Sequence, residues 1–192
     1  MKFFINCKHW VIFSGAFVIP AILVLFGYYH FKFHLNISLF FYMIPLGIAV
    51  SQMFVYGWLW AVGGKLAKIV PADSSKDAAF KGLITVPFFM LVAFLVFWAI
   101  VPFAFPLSLP SSATLIYLFS TTAIFLQAFF ILSFFYCFNF LANLMKRHDM
   151  MGEYVFFKEY IKEFILVELL PIGIWFIQPR ITKMINEPQD WY

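Results

Sequence analysis

The sequence predicts an all-α polytopic membrane protein with four transmembrane helices and a C-terminal amphipathic or interfacial helix. The sixty-four consecutive residues from Gly82 to Met145 contain no Asp, Glu, Lys, Arg or His. Charged residues make up 11% of the chain and hydrophobic residues 64%, whereas a soluble surface needs about a quarter or more of its residues charged. A chain of this composition requires a lipid bilayer around it.

The uncharged runs have the lengths that membrane helices need. About 20 apolar residues cross a hydrocarbon core of about 30 Å. Residues 10–29 and 35–64 each meet this requirement, and three prolines (Pro102, Pro106, Pro110) divide the third run because proline disfavours helix around it. We therefore predict a four-helix transmembrane domain over residues 1–145, with spans near 10–29, 37–62, 83–104 and 112–143, and a helical tail over residues 146–192.

The distribution of basic residues predicts the orientation. Assigning alternate loops to one side places twelve of the thirteen Lys and Arg residues on that side and only Lys32 on the other. The positive-inside rule then predicts a multi-pass protein of the inner (cytoplasmic) membrane with both termini in the cytoplasm. The net charge of +4 would face anionic lipid, and we expect no nucleic-acid partner because acidic residues share the same loops.

The tail contains two different patterns. Residues 153–165 alternate charged and apolar residues with helical spacing, which predicts an amphipathic helix. Residues 164–177 are apolar except for Glu168 and contain Pro171 and Gly173. This segment is short for a span, and a fifth span would carry Arg180 and Lys183 to the outside. We therefore predict an interfacial or shallow re-entrant segment.

The same tail contains the segment L-P-I-G-I-W-F-I-Q-P-R at residues 170–180. It resembles the C-terminal signature of a group of small uncharacterised bacterial polytopic membrane proteins. The resemblance covers about a dozen of the 192 residues. It implies a shared tail structure and no particular activity.

Four polar residues are candidates for interaction. Glu168 is the one acid within the apolar tail segment, and Arg180 is a candidate partner for it. The alternatives are a carboxylate that reaches water from an interfacial helix and one that pairs with a lysine of the same tail. Gln52 and Asn139 lie inside predicted spans. Such residues either line a polar path or form hydrogen bonds between helices.

Two pairs of small residues mark the second predicted span as a packing surface. Gly47 and Ser51 are four residues apart, as are Gly57 and Ala61. Small residues at this spacing allow helix backbones to approach closely. The pairs predict packing either within the chain or between two copies of it.

The sequence contains no motif that indicates catalysis. It has no Gly-x-Ser-x-Gly, no His-Glu-x-x-His and no phosphate-binding loop. His30 and His34 are one helical turn apart, but Cys, Asp and Glu are missing from the sequence near them. We expect no enzyme activity, no cofactor and no metal site.

Three functions remain open. The first is a non-enzymatic protein that acts by homo-oligomerisation or by binding a membrane or cytosolic protein partner at its cytosolic face. The second is an oligomeric pore of the toxin or defence type. The third is a carrier of an apolar or lipidic substrate, which would not need charges inside the membrane.

Overall fold

The computed structural model describes residues 2–34, 37–70, 74–104, 112–150 and 153–186. Every regular element in these ranges is a helix, which confirms the predicted fold class. The elements are α1 (Lys2–Asn6), α2 (His9–Phe13), a π-helical turn (Ser14–Val18), α3 (Ile19–His34), α4 (Ile37–Ile69), α5 (Ser74–Ala104), α6 (Ser112–Asp149), α7 (Phe157–Glu168) and α8 (Leu170–Asn186).

Four helices are long and apolar enough to cross a membrane, as predicted. They comprise His9–His34, Met43–Ile69, Lys76–Val96 and Gln127–Asp149, and we call them the first to fourth spans. The second and fourth are 56% and 50% buried within the protein, against 28% and 22% for the first and third. The second and fourth spans therefore form the centre of the bundle, and the other two leave most of their surface to lipid.

The helices continue beyond the predicted spans at one end of the bundle. We call this the basic end, because Lys65 and Lys81 lie in its helices. α4 continues to Ile69 and α5 begins at Ser74, so most of the predicted loop 65–81 is helical. The sequence between 62 and 69 contains no helix breaker except two glycines. α4 ends just before Pro71, because the residue that precedes a proline disfavours helical backbone angles. The predicted turn between the third and fourth spans lies in residues 105–111, outside the described residues.

Large aromatic side chains fill the core near the basic end. Tyr56 stacks on Phe134 with ring centroids 4.4 Å apart, and Phe80 stacks on Phe140 at the same separation. The Phe80 ring lies directly against Gly63, where any added Cβ would clash with it. These contacts join α4, α5 and α6 in one apolar cluster.

The first span contains a widened helical turn. The π-helical turn Ser14–Val18 ends two residues before Pro20. Proline has no N–H for the carbonyl one turn earlier, and π-type turns are one way in which a helix accommodates this loss. The turn places Ala16 and Phe17 on the side of the span that faces α4 and α6, where both line a groove.

The tail consists of two helices, α7 and α8, which are joined at Leu169 and packed against the bundle; we call this pair the hairpin. The predicted segment 164–177 is not one piece, because the helix breaks at Leu169 and restarts at Leu170. Pro171 suits the first turn of a helix, where its missing N–H leaves no bond unmade. Gly173 lies so close to the Leu166 carbonyl that no side chain fits there.

The hairpin belongs to the same packed unit as the spans. The border predicted at residues 145 and 146 falls inside α6, which continues without a break to Asp149. α7 packs along α6, while α8 packs against α2 and α4. Val167, Ile174 and Ile181 are fully buried in the main core.

A candidate binding groove and the contacts that hold the hairpin

An apolar groove lies between the first, second and fourth spans and the tip of the tail hairpin. Its volume is about 760 Å³, which is within the range of pockets that hold small molecules. The spans contribute Ala16, Phe17, Pro20, Ala21, Val24, Leu25, Gly47, Ile48, Ser51, Gln52, Val55, Gln127, Phe134 and Phe138, and the hairpin tip contributes Glu168, Leu170 and Pro171. Leu25 and Ile48 are exposed, so the groove opens on the outer surface of the spans.

Four polar residues interrupt the apolar lining, namely Ser51, Gln52, Gln127 and Glu168. Gln52 is 5% exposed, and its Oε1 atom has no hydrogen-bond partner among the described residues. A buried amide oxygen left in this way costs about 1–3 kcal/mol. The oxygen itself is covered by protein, so a ligand donor would remove that cost only if the amide turned toward the groove.

Four of the eight residues selected from the sequence meet at this groove. They are Glu168, Gln52, Gly47 and Ser51. Arg180, Asn139, Gly57 and Ala61 lie elsewhere. Gly47, Ser51 and Gln52 share α4, and the tip of the tail hairpin brings Glu168 to the same groove.

The small residues of α4 face the N-terminal part of the same chain. A Cβ at Gly47 would lie 3.1 Å from the Pro20 carbonyl oxygen in α3, and one at Gly57 would lie 2.8 Å from the Phe4 ring in α1. Both glycines therefore permit close packing within one chain. Ala61 is 3% exposed and is also covered by its own chain.

Arg180 binds two carboxylates, and neither belongs to Glu168. Its guanidinium donates to Asp149 at the end of α6 and, at 3.3 Å, to Glu163 in α7. The predicted pair of Glu168 with Arg180 is therefore wrong. Glu168 lies at the hairpin tip, and about three turns of helix separate it from Arg180, roughly 15 Å along α8. Glu168 makes no ion pair within the described part of the chain.

Gln178 joins α8 to α4 and to the N-terminal segment. Its Oε1 accepts a hydrogen bond of 2.7 Å from the indole N–H of Trp58. Its Nε2 lies 3.2 Å, 3.1 Å and 3.3 Å from the carbonyl oxygens of Phe4, Ile5 and Cys7, to which it donates. Both halves of the amide are therefore used, and Gln178 is only 2% exposed.

Sequence reasoning missed Gln178, although a signal for it exists. The buried residues of α8 recur every three or four positions, at Gly173, Ile174, Ile177, Gln178, Ile181 and Met184. This is the spacing of one helix face. Gln178 falls on that face, and a polar residue among buried apolar ones requires a hydrogen-bond partner.

Asn139 lies on the surface of α6 that α7 covers. Burial raises the pKa of Tyr160 in α7, while hydrogen bonding with Asn139 and Asn143 acts against this rise. The phenol therefore stays neutral at physiological pH. Asn139 thus contributes to the contact between α6 and α7 and not to the groove.

Comparison with protein-family models, curated proteins and solved structures finds no significant match for this chain. The fold and the groove themselves define the class. This is an all-α polytopic membrane protein in which a C-terminal helical hairpin closes one end of a groove between the spans.

Proposed function

We propose that this protein is a non-enzymatic membrane protein that holds a lipidic or other apolar molecule in the groove between its first, second and fourth spans. The observation that carries the proposal is the groove itself. Thirteen of its seventeen lining residues are apolar, and it opens toward the surface that the spans present to lipid. The bilayer would supply an occupant directly by this route.

The polar residues of the groove indicate what kind of molecule fits. An alkyl or isoprenoid chain would cover the apolar wall formed by residues such as Phe17 and Val55. Glu168 at the hairpin tip provides an acceptor for a hydroxyl or amide N–H on the same molecule, and the Gln52 amide would provide a second one by turning toward the groove. Ser51 is the sole hydroxyl-bearing residue among the described lining residues, and no described His lines the groove beside it, which supports binding over catalysis.

The hairpin would then lie at the membrane interface with its tip between the spans. Trp175 in α8 lies beside His9 and Phe13 of the first span, with ring centroids 4.2 Å and 6.1 Å away. From that level the hairpin tip extends to the level of Ala16 and Pro20, which line the groove with it. In the orientation that the basic residues predict, this is a shallow re-entrant hairpin from the cytoplasmic side of the inner membrane.

The test uses a variant whose larger side chain fills the groove, and a control variant that makes the same change on the exposed surface elsewhere. Ala21 lines the groove, whereas Ala93 is exposed on α5 and does not. We expect native mass spectrometry of the gently purified protein to find an apolar ligand at about one per chain. Ala21→Phe should reduce its occupancy about tenfold or more because the ring takes the space of the ligand, and Ala93→Phe should leave it unchanged. Equal occupancy in both variants would contradict the proposal.

A second proposal is a protein partner, or a second copy of this chain, that binds the outer side of the hairpin. Large apolar side chains are exposed there, including Phe156, Leu169, Ile172 and Phe176. An interfacial helix uses such residues against lipid, and a partner helix would use them in the same way. Native mass spectrometry separates these cases, because a bound protein or a fixed homo-oligomer without ligand would favour the partner. Pore formation by such an oligomer stays a prediction that the same spectrum addresses.

A further inference from the structure

A second cavity lies at the basic end, between the N-terminal segment and α8, well apart from the groove. Its volume is about 420 Å³. It is lined by Cys7, Lys8, His9, Gln178, Pro179, Thr182, Lys183 and Asn186. The two segments of the chain that form it are about 170 residues apart in sequence, so the cavity exists only in the folded protein.

The cavity has the charge and the donors that an anion requires. Lys8 and Lys183 approach it from opposite walls, and none of its eight lining residues is acidic. The amide of Asn186 adds a neutral donor. Burial raises the pKa of the Cys7 thiol, which therefore stays neutral and adds no negative charge. Two lysines that line one cavity attract a single anionic group to it.

The walls of the cavity are held in place by hydrogen bonds within the protein. Gln178 is fixed by Trp58 and by carbonyl groups of the N-terminal segment. The Thr182 hydroxyl donates to the Gln178 carbonyl at 2.9 Å. A cavity with a fixed wall and flexible lysines at its rim can enclose a headgroup without reorganising the fold.

The position of the cavity along the first span points to lipid. His9 is the first residue of that span, and it lies between the cavity and Trp175, whose ring is 4.2 Å away. The neighbouring Trp10 is 52% exposed. Tryptophans of this kind are typical of the level at which lipid headgroups lie.

The geometry points to this cavity as a binding site for the phosphate group of an anionic phospholipid, held between Lys8 and Lys183. This inference does not depend on the apolar groove, since no residue lines both cavities. It assigns a separate role to the N-terminal segment and α8, which is to sense or require anionic lipid.

The experiment titrates the purified full-length protein in neutral detergent with short-chain phosphatidylglycerol and, separately, with inorganic phosphate. Binding is read by native mass spectrometry. The test variant is Lys8→Gln with Lys183→Gln. The control, Lys65→Gln with Lys68→Gln, removes the same charge from exposed lysines of α4 that line neither cavity. A third variant, Lys8→Arg with Lys183→Arg, keeps the charge.

We expect the test variant to bind phosphatidylglycerol about 25-fold more weakly, since each lysine near an anionic lipid contributes about a factor of five. The control and the arginine variant should bind like the wild type. If the test variant binds phosphatidylglycerol as the wild type does, or if the control loses as much affinity as the test variant, the proposed site between Lys8 and Lys183 is overturned. If inorganic phosphate binds the wild type as tightly as the lipid does, and the test variant no longer binds it, the site recognises free phosphate, and the proposal of a lipid ligand is overturned.

Discussion

The side-chain amide of Gln178 connects three parts of the chain that are distant in sequence. Its oxygen accepts a hydrogen bond from Trp58 in α4. Its nitrogen donates to two carbonyl groups within α1 and to the carbonyl group of Cys7, just after α1. Its two N–H groups are shared among three carbonyl oxygens, so each donor has a partner. Because the site is buried, loss of the amide would leave several of these groups without water or protein to bond with.

We predict that Gln178→Met lowers the free energy of unfolding by about 1–3 kcal/mol, since methionine keeps the volume but makes none of these bonds. Trp58→Phe should cost at least as much, because Trp58 is fully buried and the smaller ring leaves a cavity in addition to removing the donor for the Gln178 oxygen. A double-mutant cycle over the two changes, followed by unfolding in mixed detergent micelles, should give a coupling of about 1 kcal/mol. Strictly additive effects would mean that the 2.7 Å contact contributes nothing to stability.

The sequence alone singles out some of the polar residues that line the groove, but it does not show which side chains contact one another. Glu168 and Gln52 stand out because a polar residue among apolar ones needs an explanation, and both prove to line the groove. The partner of Arg180 could not be predicted, because the break at Leu169 determines which residues lie opposite each other. Asp149 and Glu163 are ordinary surface acids by sequence, and only the packing of α6, α7 and α8 places them around one guanidinium.

At the scale of the helices, the hairpin is attached to the bundle by apolar packing and by the ion pairs of Arg180. The Glu163 side chain is 10% exposed, and one of its oxygens has no hydrogen-bond partner among the described residues. The Asp149 side chain is 36% exposed, so water screens that pair. Arg180 therefore matters chiefly because it compensates the buried charge of Glu163.

We expect Arg180→Gln to loosen the hairpin by on the order of 1 kcal/mol, because it leaves the Glu163 carboxylate buried without a cation. Hydrogen exchange should rise in α7 and α8 and stay unchanged in the core of α4. Adding Glu163→Gln should restore much of the protection, since the uncompensated charge is then gone. If the double variant exchanges faster than the single one, Glu163 contributes to stability in some way other than through Arg180.

At the scale of the whole molecule, the bilayer explains which features could be predicted. Hydrocarbon thickness sets the length of an apolar run, so four spans follow from the sequence alone. Beyond the hydrocarbon this constraint ends, and α4, α5 and α6 continue as helices because they pack on one another around Phe80 and Phe140. The groove could not be predicted, because it depends on which helices are neighbours, and run lengths contain no information about that.

The orientation of the bundle is the last prediction, and it decides which compartment the second cavity faces. Twelve of the thirteen Lys and Arg residues lie in segments that alternate to one side, and moving them across the membrane would oppose both the positive-inside rule and the membrane potential. In a Cys7→Ser, Cys137→Ala background, Ser108→Cys should react with a membrane-impermeant maleimide in intact spheroplasts. Ser75→Cys should react only after permeabilisation, because it follows the second span on the side of the lysines. The reverse labelling pattern would place the lysine cavity outside the cell and leave the anionic lipid of the cytoplasmic leaflet out of its reach.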